Sequence, residues 1–267
     1  MLKDDNTAGI IPAAGYARRL AALPCSKEIY PVGIEFNEET GTRTPTVVST
    51  SLLNHFRDAG GRQVYFIIRK GKWDIPRYFG TGDDHGLNIA YLVTGPTPGT
   101  PFTTDLAYPF VKGKRILFGF PDIIIKASNP FQTLMGKMDD TGWDVVLGLF
   151  EADNPQKADM VVTDETGQVR TIVIKPDKTD LTHTWLLAVW NPAFTEFLHT
   201  GISALQEEAG NSGIIGPSHG KPELFIGDFI QKAINSGLKV GSVRFPGSAY
   251  LDIGTPDDLK KAASFTV

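Results

Sequence analysis

Short apolar segments alternate with helical patterns along much of this chain. The stretch Thr46–Ala59 places Val47, Leu52 and Phe56 at helical spacing and is followed by the helix-ending pair Gly60-Gly61. A short helix is also predicted near Thr103–Val111. Strands that alternate with helices favour βαβ units and a mainly parallel sheet. Five segments are strand-like by their apolar, β-branched and aromatic content: Ala8–Ala13, Gln63–Ile68, Leu87–Val93, Arg115–Phe120 and Trp143–Phe150.

The middle of the chain departs from this alternation. Asp159–Val162 and Val169–Ile174 flank the turn-like run Asp164-Glu-Thr-Gly167, which predicts a hairpin. Antiparallel strands are expected to continue through Thr184–Trp190. The last third predicts a helix at Pro222–Asn235, a strand at Lys239–Phe245 and a closing helix after Pro256. The 267 residues contain no repeat or linker, so a single domain over residues 1–267 is expected.

The first strand leads into a loop of small residues, Ala13-Ala14-Gly15, which is followed by Arg18, Arg19 and Lys27. Small residues allow backbone N–H groups to approach a phosphate, and nearby cations neutralise its charge. The loop has neither the Gly-Lys-Ser/Thr of a Walker A motif nor a GxGxxG pattern. The residues alone therefore allow two interpretations, a phosphate-binding loop or a plain βα turn with solvated basic residues.

Two carboxylates interrupt apolar segments. Asp122 follows the predicted strand Arg115–Phe120, where an open α/β sheet binds its ligands. Asp252 precedes a helix in which Pro256 suits the first turn. Either residue could instead serve a turn or a helix cap. Taken together, they form a carboxylate pair able to hold one Mg²⁺, which typically takes one or two protein carboxylates and completes its shell with water and phosphate.

Charge and hydropathy exclude several classes of function. Lys and Arg total 26 against 30 Asp and Glu, without basic runs, so nucleic-acid binding is not expected. No segment approaches the roughly 20 apolar residues of a membrane helix. The first residues lack an apolar signal core, and the single cysteine, Cys25, excludes an intrachain disulfide. A cytoplasmic location without membrane attachment is therefore expected.

Four segments together resemble the sugar-1-phosphate nucleotidyltransferases, the family of the glucose-1-phosphate thymidylyl- and uridylyltransferases. The family opens with a motif close to LAGGxGTRLxPxTxxxxKPxxPV, and later carries Gly-Asp, Glu-Lys-Pro and Trp-x-Asp-x-Gly-Thr-Pro. The ordered set spans nearly the whole chain. The matching segments are Pro12–Val32, Phe120-Pro-Asp122, Ile174-Lys175-Pro176 and Tyr250-Leu-Asp252-Ile-Gly-Thr-Pro256.

The resemblance implies a Rossmann-like three-layer αβα nucleotidyltransferase fold, with a mainly parallel mixed central sheet and a small antiparallel sub-sheet. It also implies an Mg²⁺-dependent enzyme that joins a nucleoside monophosphate to a sugar 1-phosphate and releases pyrophosphate, and a possible homo-oligomer. Arg19 and Lys27 would contact the nucleoside triphosphate together with the loop Ala13-Ala14-Gly15. Thr94, Gly99 and Thr100 fall where the family lines its nucleobase pocket. Asp122 and Asp252 would hold the metal, and Lys175 would bind the sugar phosphate.

Departures from the family pattern keep other functions open. The glutamate of Glu-Lys-Pro, which resembles a sugar-hydroxyl ligand in the family, is Ile174 here, so the sugar is not identified. The opening Pro12-Ala-Ala-Gly15 also resembles cytidylyltransferases that act on phosphocholine or a polyol phosphate. Gly216-Pro-Ser218-His-Gly220 matches the G-x-S-x-G pattern of hydrolases but lies in a Gly/Pro-rich stretch. A non-catalytic nucleotide-binding regulator would be expected to lack the cationic and acidic residues found here.

Overall fold

The computed structural model describes residues 6–20, 23–37, 41–212 and 223–265. The strands, in chain order, are β1 (Thr7–Ala13), β2 (Pro31–Asn37), β3 (Thr42–Val47), β4 (Gln63–Arg69), β5 (Asn88–Thr94), β6 (Arg115–Gly119), β7 (Ile123–Lys126), β8 (Val145–Glu151), β9 (Asp159–Thr163), β10 (Val169–Ile174), β11 (His183–Trp190), β12 (Val240–Arg244) and β13 (Ala249–Asp252). The α-helices are α1 (Thr50–Asp58), α2 (Asp74–Phe79), α3 (Thr100–Asp105), α4 (Tyr108–Val111), α5 (Pro130–Thr141), α6 (Pro192–Ser212), α7 (Ile226–Asn235) and α8 (Pro256–Ala262).

A nine-stranded mixed sheet forms the centre of the fold. In one half, β6, β1, β4 and β5 run parallel in that order. Next to β6 lies β11, which is antiparallel to both β6 and β8, while β12 runs parallel to β8. The hairpin β9–β10 joins this sheet through the pair Thr184 and Met160. Because parallel strands end at the same edge, the carboxyl ends of β1, β4, β5 and β6 lie side by side.

Helices cover both faces of the sheet because its strands alternate their side chains. On β1, Ala8 and Ile10 pack on one face, and Ile11 packs on the other. The first face is covered by α3, α4, α6 and α7, and the second by α1, α2 and α5. This arrangement is the predicted three-layer αβα fold. Within the described residues, no helix has the length and apolar content needed to cross a bilayer.

Two small antiparallel sheets lie outside the central sheet. One is the hairpin β2–β3, and the other pairs β7 with β13. In the second, Asp252 is the register partner of Ile123, and the Ile253 N–H donates to the Asp122 carbonyl over 2.8 Å. This ribbon connects the end of the chain to the segment that follows β6. It thereby brings two residues together that are far apart in sequence.

Several predicted element boundaries are wrong. The helix expected from Thr46 begins at Thr50, because β3 continues to Val47 and pairs with β2. The region near Thr103–Val111 forms two short helices, α3 and α4. The helix expected from Pro222 begins at Ile226, and Pro222 itself lies outside the described residues. The strand expected at Thr184–Trp190 does form, antiparallel to its neighbours, but as β11 it lies inside the central sheet between β6, β8 and β9 and not in a separate sub-sheet.

Candidate active site

The predicted phosphate loop leaves the sheet at the carboxyl end of β1. Ala13 ends the strand and is buried, whereas Ala14 is half-buried and Gly15 is exposed. A Cβ built on Gly15 would meet no atom within 4 Å. The loop therefore borders open space at the edge where β1, β4, β5 and β6 end.

The two predicted metal-binding carboxylates lie next to each other at this edge. Asp122 follows β6, and the β7–β13 ribbon holds Asp252 beside it. Desolvation by surrounding atoms and then the charge of Asp122 raise the pKa of Asp252 to about 6, although part of its side chain is open to solvent. Crowding of like charges at the end of a sheet is typical of a site built for a cation.

Lys27 contacts this acidic pair directly. Its ammonium forms an ion pair with Asp122 Oδ2, and the two side chains are 15% and 21% exposed. Burial alone lowers the pKa of Lys27, but the charges of Asp122, Glu28 and Asp252 outweigh that effect and raise it above the usual value. Lys27 is therefore a permanent cation at neutral pH, held against the carboxylates.

Arg19 approaches the same pair from the other side. It lies in the short 3-10 turn Arg18–Leu20, and its side chain is exposed. Measured from a Cβ position on Gly254, Arg19 Nη2 is 3.4 Å away and Asp252 Oδ1 is 3.7 Å away. The structure thus brings Arg19, Lys27, Asp122 and Asp252 into one cluster.

The residues that flank Lys27 are fixed on both sides. The backbone N–H and hydroxyl of Ser26 donate to the Asp74 carboxylate over 2.6 Å and 2.8 Å. Glu28 pairs with Lys72 over 2.5 Å, and their side chains are 2% and 3% exposed. The Glu28 carbonyl also accepts hydrogen bonds from Ser49. These contacts hold the short helix Lys27–Ile29 in place before any ligand binds, which reduces the entropy cost of using Lys27.

We expect Lys72→Met to destabilise the protein by about 3–5 kcal/mol, because it leaves the buried Glu28 carboxylate without its cation. The free energy of unfolding in urea measures this loss. Adding Glu28→Gln in the same chain should recover part of it, since the uncompensated charge is then removed. Lys70→Met changes an exposed lysine of the same loop and should leave stability nearly unaltered. Equal losses of stability for the Lys72 and Lys70 variants would contradict the assignment of Lys72 as the buried partner of Glu28.

The predicted nucleobase segment starts where β5 ends. The Thr94 carbonyl accepts a hydrogen bond from the Lys70 N–H over 3.1 Å, and Thr100 begins α3. Gly99 forms an isolated bridge with Leu224, and a Cβ on Gly99 would overlap the Leu224 carbonyl. Only glycine permits this backbone contact. Thr94 therefore lies at the same sheet edge as the cationic and acidic cluster, and Gly99 and Thr100 follow it at the start of α3.

Lys175 belongs to a second group of residues. It follows β10 with φ of 41°, is exposed, and places its ammonium 3.6 Å from the centre of the Phe225 ring. Its charge acts on the Asp159 carboxyl and opposes the rise in the pKa of that group. A connection to the first cluster runs through Trp185, whose ring centre lies 5.4 Å from that of Phe120, two residues before Asp122.

Sequence reasoning missed several residues of this region. Glu28 and Lys72 look like ordinary surface charges, and Asp159 looks like the solvent-facing end of a strand. The available signal for Asp159 was its position opposite Ile174 in the predicted hairpin. The G-x-S-x-G segment at 216–220 lies outside the described residues.

The donor set limits which metal this edge could hold. Within the described ranges, no group of three His, Cys, Asp or Glu side chains is arranged around a common point. The carboxylate pair of Asp122 and Asp252 supplies hard oxygen donors only. Such a pair suits an Mg²⁺ that takes its other ligands from water and phosphate, and does not suit a closed zinc site.

Comparisons with known proteins identify the family of the chain. The nucleotidyl transferase family profile matches residues 8–267. The low-salt glycan biosynthesis nucleotidyltransferase Agl11 of Haloferax volcanii is 26% identical over 211 residues, which cover 79% of this chain and 54% of the relative. The chain thus spans about half the length of that relative. A crystal structure from Bacillus anthracis, provisionally described as a glucose-1-phosphate thymidylyltransferase in complex with sucrose, matches with a TM-score of 0.76 at 17% identity over 97% of this chain and 94% of that one.

Proposed function

Since the chain belongs to the nucleotidyl transferase family, as its motifs predicted, we propose that it joins a nucleoside monophosphate to a sugar 1-phosphate and releases pyrophosphate. The observation that carries this proposal is the cluster of Lys27, Arg19, Asp122 and Asp252 at the carboxyl ends of β1 and β6. Two phosphorylated reactants require cations that neutralise their phosphates and carboxylates that hold a metal ion, and this cluster supplies both.

The relatives support a sugar phosphate as the acceptor. The Haloferax volcanii relative is named for glycan biosynthesis, and the Bacillus anthracis structure for thymidylyl transfer to glucose 1-phosphate. At these identities, neither relative identifies the base or the sugar used by this chain. A nucleoside triphosphate and a sugar 1-phosphate are therefore proposed as classes of substrate.

The proposed reaction forms one bond and breaks one bond at the α-phosphorus of the nucleoside triphosphate. An ionised oxygen of the sugar phosphate attacks the α-phosphorus, and the oxygen that links the α- and β-phosphates leaves with pyrophosphate. No general base is needed, because the attacking phosphate is already ionised at neutral pH. The work of the protein is to position two anions in line and to stabilise the charge that moves to the leaving group.

The chain's own residues divide this work. Lys27, fixed by its neighbours, neutralises the triphosphate close to the α-phosphate. Arg19, more exposed, binds the departing pyrophosphate. The open space beside Gly15 admits phosphate oxygens to the backbone N–H groups of the loop. Lys175 holds the sugar phosphate.

Asp122 and Asp252 would hold Mg²⁺, in keeping with their oxygen donors and their mutual repulsion. When bound, the ion supplies charge neutralisation and polarisation of the phosphoryl group. Lys27 then neutralises what remains of the negative charge of Asp122 and of the substrate. Thr94, Gly99 and Thr100, which follow the end of β5, would border the base of the nucleotide.

A panel assay of pyrophosphate release tests the proposal. Nucleoside triphosphates are crossed with sugar 1-phosphates, a polyol phosphate and phosphocholine, in the presence of Mg²⁺. We expect release that requires both partners, prefers a sugar 1-phosphate and stops when EDTA is added. Preference for phosphocholine or the polyol phosphate would favour the cytidylyltransferase alternative. Nucleotide binding without release from any combination would favour the regulatory alternative.

A further inference from the structure

A carboxylate lies directly across the hairpin from the position where the family motif has its glutamate. Ile174 occupies that position, and in the β9–β10 register it pairs with Asp159. Paired residues of antiparallel strands project on the same face with Cβ atoms about 4.5–5.5 Å apart. A Cβ on Gly227 would lie 2.7 Å from Ile174 Cδ1 and 2.8 Å from Asp159 Oδ2. Both side chains therefore lie together against the start of α7.

The Asp159 carboxylate interacts with the Trp185 indole N–H and with the charge of Lys175. It forms no ion pair with any residue that the structure describes. Its neighbour Asp228, by contrast, accepts the Phe225 N–H over 2.8 Å and caps α7. Desolvation, opposed by the charge of Lys175 and reinforced by that of Asp228, raises the pKa of Asp159 to about 6. The fold thus holds an ionised group at neutral pH at a cost in stability.

A buried indole N–H lies beside this carboxylate. Trp185 on β11 is 2% exposed, and its indole N–H faces Asp159 and opposes the rise in the pKa of that carboxyl. The contact is looser than an ordinary hydrogen bond between described residues. The indole thus orients the Asp159 carboxylate, whose other lone pairs remain able to accept a hydrogen bond from a ligand hydroxyl.

The Asp159–Trp185 pair borders the candidate active site on two sides. Trp185 packs on Phe120, which precedes Asp122 by two residues. On the other side, the charge of Lys175 reaches Asp159. A ligand whose phosphate is bound by Lys175 could therefore place a hydroxyl group next to Asp159.

We infer that Asp159 recognises a hydroxyl group of the phosphorylated acceptor, with the buried Trp185 indole N–H orienting the carboxylate. This inference rests on the proposed function and adds a specificity residue to it. Asp159, on the opposite strand, thereby replaces the glutamate that the family motif has at the position of Ile174. The acceptor is accordingly a polyhydroxylated phosphate ester. Phosphocholine offers no hydroxyl and therefore lacks the contact that is proposed for Asp159.

Steady-state kinetics of Asp159→Asn test this role. The acceptors are glucose, galactose, mannose and N-acetylglucosamine 1-phosphates, with phosphocholine beside them, and the best sugar 1-phosphate is used for the comparison. We expect its KM to rise about tenfold to a hundredfold, the cost of one hydrogen bond to a charged group. The KM for the nucleoside triphosphate should stay the same. Asp177→Asn, which removes an exposed carboxylate two residues after Lys175, is the matched control and should leave both constants unchanged.

A second substitution on the paired strand separates recognition of the acceptor from a general effect of charge. Asp159→Ala should raise the acceptor KM at least as much as Asp159→Asn does. Adding Ile174→Glu to Asp159→Ala returns a carboxylate to the same patch from the paired strand, and we expect it to restore most of the affinity for the acceptor. Failure of this rescue, with the double variant folded, would count against recognition through this patch.

Thermal stability provides a readout independent of activity. Because the raised pKa of Asp159 means that its ionised form destabilises the fold, Asp159→Asn should raise the melting temperature at neutral pH by about 2–4 °C. The difference should narrow as the pH falls below about 6, where the wild-type carboxyl takes up its proton in the presence of Lys175 and Asp228. A structural carboxylate would behave in the opposite way, and its loss would lower the melting temperature.

The outcomes distinguish the two proposals. If the wild-type protein transfers nucleotide to a sugar 1-phosphate but Asp159→Asn leaves the acceptor KM unchanged, the inference about Asp159 is overturned and the proposed function stands. If the wild-type protein prefers phosphocholine, the proposed function fails and the inference fails with it. If it uses only the polyol phosphate, the proposed function fails, and the effect of Asp159→Asn on the KM for that acceptor decides the inference. A selective rise in acceptor KM, rescued by Ile174→Glu and accompanied by a higher melting temperature, supports both.

Discussion

Asp252→Asn should lower kcat by about 10²–10³-fold, because it removes one preorganised charge from the site that holds the metal and the phosphates. Asp122→Asn should cost at least as much, since it also removes the partner of Lys27. Both variants should remain folded, because Asp252 is exposed and Asp122 retains some solvent contact. Pyrophosphate release at saturating Mg²⁺ measures the rate, and circular dichroism measures the fold.

Asp257→Asn is the matched control for both variants. Asp257 lies in α8, pairs with Lys260 over 3.0 Å, and is 81% exposed. The Asp257→Asn substitution makes the same change of charge and shape close to Asp252 in sequence, but on an exposed surface. Turnover should be unaffected. A variant of Asp122 or Asp252 that keeps a large part of wild-type turnover would contradict their role.

Lys27→Met should lower kcat/KM for the nucleoside triphosphate by about 10²–10³-fold, because methionine keeps similar length and removes the charge that neutralises the phosphates. The Lys27 cation is fixed before binding by the contacts of Ser26 and Glu28, so its loss cannot be compensated by a mobile side chain. The same pyrophosphate assay, run at several nucleotide concentrations, provides the measurement.

A double-mutant cycle sharpens this test. Lys27 and Asp122 form one ion pair, so the double variant Lys27→Met/Asp122→Asn should lose much less than the product of the two single losses. The exposed pair Lys260 and Asp257 provides the control, and Lys260→Met should leave the rate unchanged. Independent, multiplicative effects of the Lys27 and Asp122 substitutions would show that they do not act as a unit.

The parts of the site that could be predicted from sequence depend on local order along the chain. Asp122 directly follows a buried parallel strand, and the small-residue loop directly follows another. The rule that ligands bind where such strands end therefore places both at one edge. Arg19 and Lys27 could be predicted because they come shortly after that loop in sequence, and Asp252 could be predicted because it belongs to the family motif.

The unpredicted parts depend on contacts between distant segments. The β7–β13 ribbon forms because Ile123 and Asp252 come into register, and neither short strand has enough residues to show a periodic pattern. The Glu28–Lys72 pair joins residues 44 positions apart, and charged side chains are usually on the surface. The pairing of Asp159 with Ile174 depends on the register of the β9–β10 hairpin. Propensity and periodicity carry no information on such pairings.

The most direct measurement of the central claim follows the oxygen atoms of the acceptor. A sugar 1-phosphate labelled with ¹⁸O in its non-bridging phosphate oxygens is incubated with the protein, Mg²⁺ and the nucleoside triphosphate preferred in the panel, and the products are weighed by mass spectrometry. Attack by the sugar phosphate on the α-phosphorus predicts a nucleoside diphosphate sugar that retains all of the label, together with unlabelled pyrophosphate. Free nucleoside monophosphate formed equally well without the sugar phosphate, or label in the pyrophosphate, would contradict the account.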